Sequence, residues 1–186
     1  DKQLENYEKN LQRVKSTKEK ILVEQIDLIK EELLKYKIKP DYKDDIDLSI
    51  NIKNLNKQLS SIKIKNIIND KTKNIIKDKK IENFIIRKQI IIDLPPKELR
   101  NIVDESKKDI KEGIVVAFST FDEKVGVAVG ITKNLSEKYD AVTLVKIASN
   151  ILGGKGGGGR KDFAQAGGIN KKKIEESFET LSKKIN

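Results

Sequence analysis

The sequence predicts an α+β protein: a long, coiled-coil-like α-helical hairpin followed by a small β-α-β-β-α globular module with a C-terminal helix. Three observations predict it. An apolar stripe at helical spacing runs through the first 36 positions with no Gly or Pro inside it. Near position 80 the Lys-rich helical pattern gives way to short apolar runs separated by turn residues. Finally, 37% of the 186 residues are hydrophobic, 37% are charged and only 5% are aromatic, a thin core for this length, so part of the chain is expected to be solvated helix.

In the first helix Leu4, Tyr7, Leu11 and Val14 step by three and four, and Leu22, Ile26, Ile29, Leu33 and Tyr36 repeat the pattern after an interruption at Lys18. A stripe this narrow needs another helix opposite, from the same chain or from a second copy. Pro40 ends the helix, since the ring cannot continue the hydrogen-bond ladder and residue 39 is pushed from the α region. The acidic stretch Asp41–Asp47 connects to a second helix carrying Ile52, Leu55, Leu59 and Ile62, then less regularly Ile64, Ile68 and Ile75, and running to about Lys79. Residues 1–79 thus form a helical hairpin with a basic second arm.

Residues 80–186 form the globular module. Glu82–Ile92 is a strand, and Pro95 and Pro96 open a helix with Leu99, Ile102, Val103 and Ile110, closed by Gly113. Ile114–Thr120 and Val125–Thr132 are strands about a turn at Asp122–Lys124. Ala141, Leu144, Val145, Ala148 and Leu152 mark a helix stopped by Gly153, and a last helix covers roughly Lys171–Lys184.

Composition narrows the chemistry. The chain contains no Cys and no His, which excludes the usual zinc ligand sets, a thiolate nucleophile and an imidazole acid–base catalyst. No apolar run approaches the roughly 18 residues of a membrane span, and the acidic start does not open like a signal peptide, so a cytoplasmic location is expected. The absence of Met suggests a piece cut from a longer chain. The net charge is +10 and is concentrated. Residues 53–80 hold nine Lys against Asp70 and Asp78; residues 146–173 hold six Lys and Arg160 against Asp162; the remainder is slightly acidic. Lys-rich codon usage would spread the charge evenly. Two basic segments are instead the footprint of a polyanion, because each neutralised phosphate releases counterions. Within the first segment Lys63, Lys65, Lys71, Lys73 and Lys77 are candidate nucleic-acid backbone contacts, with a solvated helix face as the competing reading.

The most specific stretch is Gly153-Gly154-Lys155-Gly156-Gly157-Gly158-Gly159-Arg160-Lys161-Asp162-Phe163-Ala164-Gln165-Ala166-Gly167-Gly168. Glycine lets successive N–H groups converge on an anion, and Lys155, Arg160 and Lys161 add full charges to that frame. Two familiar phosphate motifs do not fit. Lys155 is followed by Gly156, not Ser or Thr as in a P-loop, and the Gly154-x-Gly156-x-x-Gly159 spacing follows a helix where the dinucleotide fingerprint requires a strand. A tight backbone crossing inside the module is the structural alternative.

The tract, with its Arg-x-Asp-x-Ala-Gln-Ala-Gly-Gly continuation, resembles the C-terminal signature of bacterial-type alanyl-tRNA synthetases. The likeness extends to Pro96–Asp104, where that family has a Leu-Arg-x-x-Val-Asp helix, and to the Val127–Thr132 strand. Lys161 stands where the family usually has Pro, Phe163 where Met is common, and the glycine run is one residue longer. None of these departures removes an anion-binding group. The resemblance implies a non-catalytic, tRNA-binding domain of an alanine–tRNA ligase that holds the outer corner of tRNA, where the D and T loops meet, and links aminoacylation with editing. It implies alanine-specific tRNA and the catalytic and editing domains of the same chain as partners, with the helical part available for homodimerisation. It implies no cofactor in this stretch, the ATP, magnesium and zinc of the full-length family belonging to other domains. The tRNA-binding set it carries over is Gly153, Gly154, Lys155, Gly156, Gly157, Gly158, Gly159, Arg160, Lys161, Gln165, Gly167 and Gly168.

Individual residues keep their alternatives. Arg160 is the best phosphate contact, its fork suiting bidentate binding, against a salt bridge to Asp162. Asp162 reads as an orienting or capping residue. Phe163 reads as core in preference to a base-stacking surface, and Gln165 either meets RNA or satisfies its own surroundings. Two other classes stand beside the RNA-binding module: the nucleic-acid-binding module of a DHH-type phosphoesterase, whose relatives carry a His in the glycine motif that is missing here, and a helical oligomerisation device.

Overall fold

The computed structural model describes residues 2–185, which divide into two compact units, 2–66 and 67–185. In the first, α1 (Lys2–Lys35) and the greater part of α2 (Leu48–Asn69) form the hairpin. Ile26 and Leu33 of α1 pack with Leu55 and Leu59 of α2. The end of α1 is set earlier than Pro40. Lys37 adopts φ 58, its N–H donates to the Leu34 carbonyl, and the Ile38 N–H reaches back to Leu33. This is a Schellman cap, with Ile38 folding onto the same apolar cluster as Leu33. The connector is pinned by two side chains of α2. Buried Asn51 accepts from the Lys43 N–H and donates to the Lys43 and Ile46 carbonyls, while Gln58 accepts from the Asp41 N–H and donates to the Lys39 carbonyl. At about 1.5 Å per residue α1 is roughly 51 Å long and α2 roughly 33 Å. The first half of the α1 stripe is left uncovered, Leu4 and Tyr7 being 64% and 66% exposed.

The second helix does not run to Lys79. It ends at Asn69, because Asp70 forms a side-chain turn in which its Oδ1 accepts from the N–H and the hydroxyl of Thr72. Asn74 Nδ2 then donates to the Ile68 carbonyl, and β1 (Asn74–Ile81) begins. Lys71 therefore lies in a turn, Lys73 at the entry to β1 and Lys77 within it.

The second unit is a six-stranded sheet in the order β1-β2-β3-β4-β6-β5, with β2 Phe84–Ile92, β3 Gly113–Phe121, β4 Lys124–Ile131, β5 Gly157–Arg160 and β6 Phe163–Gly168. Only β2 and β3 are parallel, joined across α3 (Leu99–Ile110). That helix is ended by Lys111 at φ 65, two residues before Gly113, which instead opens β3. The α+β class and the predicted β-α-β-β-α order are therefore present, with β1, β5 and β6 added.

Strand alternation sorts the layers. Along β4, Val125, Val127, Val129 and Ile131 face α4 (Ala141–Ile151) and α5 (Ile174–Ile185), with Leu144, Val145, Phe178 and Leu181 in the same core. Gly126 and Gly130 lie on the opposite face, against Leu99 and Val103 of α3, where a β-carbon would overlap those side chains. The Val-Gly-Val-Ala-Val-Gly-Ile sequence thus builds one thick and one thin interface. Charge reaches both faces of β2. Lys88 Nζ meets Glu175 of α5 at 2.6 Å, and the Arg87 fork meets Asp78 of β1 at 2.7 and 2.8 Å and Asp109 of α3 at 2.7 Å.

Candidate nucleic-acid interface

The glycine tract is not an irregular loop. After α4 the chain turns at Gly153, φ 75, and Gly157–Arg160 pairs antiparallel with Phe163–Gly168, so the motif is a β-hairpin completing one edge of the sheet. The paired residues Arg160 and Phe163 enclose a two-residue turn, Lys161-Asp162. Sequence periodicity could not reveal this, because three glycines in a four-residue strand carry no alternation to read. The hairpin is tied down through its backbone. The Lys161 carbonyl accepts from the Ala141 N–H at the start of α4, and the Asp162 carbonyl from the Ile131 N–H at the end of β4. Ser149 of α4 donates to the Gly167 carbonyl at 2.7 Å and accepts from the Gly156 N–H at 3.3 Å.

Within this hairpin the predicted glycines separate into two kinds. A β-carbon on Gly154 would fall 1.8 Å from the Gly167 carbonyl oxygen; Gly157, Gly159 and Gly168 are closed in by comparable backbone contacts. Gly156 holds φ 103, which only glycine adopts readily. Packing accounts for Gly154, Gly157, Gly159 and Gly168, and backbone conformation for Gly156. Gly158 differs: a β-carbon there would meet nothing within 4 Å, and its φ lies outside the left-handed region. Gly167 is similarly open, its nearest contact being the Val125 carbonyl oxygen at 3.6 Å. Both are solvent-facing positions without a side chain that the fold itself does not require.

Around that surface Lys155 is exposed and makes no hydrogen bond or ion pair among the described residues. Arg160 is 65% exposed and its fork is held by Asp162, Nε to Oδ1 at 3.0 Å and Nη2 to Oδ2 at 3.4 Å. Those hydrogen bonds hold the Asp162 carboxyl below the ordinary carboxylate range, with the charges of Arg160 and Lys107 adding to the effect, and they raise the Arg160 guanidinium. Phe163 is buried, with the Arg100 guanidinium 5.3 Å from its ring centroid, so it packs inward. Gln165 donates its amide to the Pro96 carbonyl at 2.7 Å and joins β6 to the start of α3. Beside the hairpin turn lies an open hollow of about 460 Å³, lined by Lys107, Lys133, Ser136, Arg160, Lys161 and Asp162 over Ile131. Lys107 and Lys133 lie in neither basic segment of the sequence. They come from α3 and from the turn after β4, and no local pattern links them to the glycine tract.

The five lysines of the basic segment are not gathered on one element. Lys63 pairs with Glu32 at 2.5 Å and Lys65 is exposed, both on α2. Lys71 is exposed in the turn, Lys73 pairs with Asp93 at 2.8 Å, and Lys77 is exposed on the edge strand β1. Among the described residues there is no cluster of His, Cys, Asp and Glu suited to a metal ion, and no helix is long and apolar enough to cross a membrane.

An open-edged mixed sheet that ends in a glycine-rich, cation-flanked hairpin defines the class of domain. Residues 82–186 match the DHHA1 domain, and the chain belongs to that family. It is 52% identical over 85 residues to the alanine–tRNA ligase of Hyphomonas neptunium and 46% identical over 87 residues to that of Parvibaculum lavamentivorans. Each match covers 46% of this chain and 10% of the relative, so the chain spans a small part of those enzymes. Among solved structures it is similar to the C-Ala domain of Aquifex aeolicus alanyl-tRNA synthetase, with a TM-score of 0.54 and 30% identity over 57% of this chain and 96% of that one. The likeness to the C-terminal region of alanyl-tRNA synthetases read from the glycine motif is thereby borne out.

Proposed function

We propose that the chain is the tRNA-holding module of an alanine–tRNA ligase, with the glycine hairpin as its contact surface for the outer corner of tRNA. The observation that carries this reading is the pair of open, exposed glycines, Gly158 on β5 and Gly167 on β6, in a hairpin flanked by the unpaired Lys155 and by Arg160. A surface cleared of side chains where packing does not demand it permits close approach of a nucleic-acid backbone or ribose, and the neighbouring cations supply the counterion-release term. The identity of the relatives supports the same reading. In the full-length enzyme the module keeps one tRNA engaged while other domains aminoacylate and edit it, in the cytoplasm; ATP, magnesium and zinc act in those domains.

The decisive comparison is a mobility shift of the 186-residue chain with whole tRNA and with an acceptor-stem minihelix. Whole tRNA is expected to bind at least about 10-fold tighter, with affinity falling steeply as salt rises. Equal binding of the two RNAs, or a curve flat between low and physiological salt, overturns the proposal. A second role is supported by the uncovered stripe Leu4, Tyr7, Leu11 and Val14, which suits pairing with a second copy of the helix. Sedimentation at high protein concentration tests it, a strict monomer ruling it out.

A further inference from the structure

Four cationic side chains from separate segments converge on the hollow beside the β5–β6 turn. Lys107 comes from the last turn of α3, Lys133 from the turn after β4, Arg160 from the end of β5 and Lys161 from the turn itself. Asp162 is the one carboxylate among the lining residues, and the charge of Asp104 on α3 also acts on Arg160. Several other cations of this unit are neutralised locally: Arg87 by Asp78 and Asp109, Lys88 by Glu175, Lys73 by Asp93. In the hollow only Arg160 has a carboxylate partner, and Lys107, Lys133 and Lys161 form no ion pair among the described residues. Like charges gathered in one concavity focus a positive potential there and repel one another until an anion enters.

The donor set indicates which anion. A planar guanidinium fork with three mobile ammonium groups suits a group bearing several oxygens in a tetrahedral array, the fork taking two and the lysines acting as point charges. The hollow, about 460 Å³ and open to solvent, accommodates a phosphodiester together with its adjoining sugar. Arg160 belongs both to this hollow and to the end of the glycine strand, so a backbone following the strand passes the mouth of the hollow.

We infer that the hollow is a subsite for one backbone phosphate of the polynucleotide held along the glycine hairpin, and that Asp162 occupies the Arg160 fork until the phosphate replaces it. The inference rests on the tRNA-holding reading and adds Lys107 and Lys133 to the surface. Asp162 acts as a stand-in anion: it keeps the fork oriented in the free protein and is weakly enough committed, across an exposed pair, to be displaced.

The test uses the full chain, inorganic phosphate followed by NMR, and tRNA followed by fluorescence anisotropy. Phosphate is expected to shift the resonances of Lys107, Lys133, Arg160 and Lys161 saturably, and Lys107→Gln/Lys133→Gln should abolish the saturation. The same double variant, with its circular dichroism unchanged, should weaken tRNA binding by about 10-fold or more and lower the log–log salt slope by about one to two. Lys184→Gln, which removes a charge outside the hollow, should change affinity by less than about 2-fold. Asp162→Asn should strengthen tRNA binding by about 3- to 10-fold by freeing the fork. Unchanged tRNA affinity in the double variant overturns the inference. If phosphate saturation is lost in that case, the hollow is a site for free anions only. Should Gly158→Asp abolish tRNA binding while the double variant does not, the hairpin reading stands and the subsite falls. Should wild-type protein bind phosphate in the hollow but no tRNA, both fall as statements about RNA.

Discussion

The two edges of the sheet are held by opposite means. The edge strand β1 is eight residues long, exposed along nearly all its length, and bears Lys77, Lys79 and Lys80. Its attachment is electrostatic: the Arg87 side chain, 9% exposed, spans from Asp78 on β1 to Asp109 on α3. The other edge, β5, is four residues long, three of them glycine, and is fastened through backbone contacts to β6 and α4. Lysines on an edge strand are a common device against edge-to-edge pairing. A bare glycine edge has no such guard and leaves its backbone open to a partner. Positive charge alone is therefore a poor marker of the proposed interface, since Lys63 and Lys73 are already paired within the protein.

The largest expected effect breaks the glycine edge. Gly154→Ala would set a methyl group 1.8 Å from the Gly167 oxygen and 2.4 Å from Ser149 Oγ, and the first of these atoms belongs to the hairpin backbone. A loss of about 3 kcal/mol is expected, the upper range for overpacking. Urea unfolding with hydrogen exchange of the β4 and β6 amides measures it. Gly158→Ala is the matched control, adding the same methyl group to open space. It should leave stability unchanged or raise it by about 0.5 kcal/mol through the unfolded chain, while weakening tRNA binding. Equal stability losses in the two variants would contradict the division of the glycines into packed and open.

A smaller effect sharpens the other edge. Arg87→Met removes the fork and leaves Asp78 and Asp109, 37% and 68% exposed, to be rehydrated. Because both partners reach water, the cost is expected near 1–2 kcal/mol and not the larger penalty of stranding a buried charge. Exchange protection should fall in β1 and hold in β5 and β6. Equal loss at both edges would mean that the sheet opens as one unit and that the edges are not separately anchored.

Legibility in the sequence followed the same contrast. The helices α1, α3, α4 and α5 are legible because each repeats apolar residues at helical spacing, and the strands β2, β3 and β4 because they are short apolar runs bounded by turn residues. The sequence of β1 reads as helix because Ile75 continues the earlier spacing, while Asp70, the residue that ends α2 through its side-chain turn, is one more polar position in the pattern. The strand β5 was unreadable, since glycine has no side chain from which to infer a face. At the site, residue types pointed to an anion and the motif to a family. That Gln165 bonds to Pro96 and that Lys107 and Lys133 join Arg160 depends on the α3 crossover, a long-range consequence of sheet order.

The smallest expected effect concerns the carboxylate at the hairpin turn. Arg160 holds Asp162 below the ordinary carboxylate range, so the folded form releases its proton more readily than the unfolded chain. A depressed folded-state pKa contributes stability that is present above the unfolded value, about 3.9, and is lost as pH falls through the folded value. Asp162 is 41% exposed and its partner more so, and screening by solvent keeps this contribution below about 1 kcal/mol. Asp162→Asn retains the backbone carbonyl that accepts from Ile131 and removes only the charge. The stability gap between wild type and this variant should be present at neutral pH and close as pH drops below the carboxylate range, measured by urea titrations at stepped pH. A gap that persists into acid would mean that Asp162 supports the turn through shape and hydrogen bonding. In that case its charge would not be what holds the Arg160 fork before a phosphate arrives.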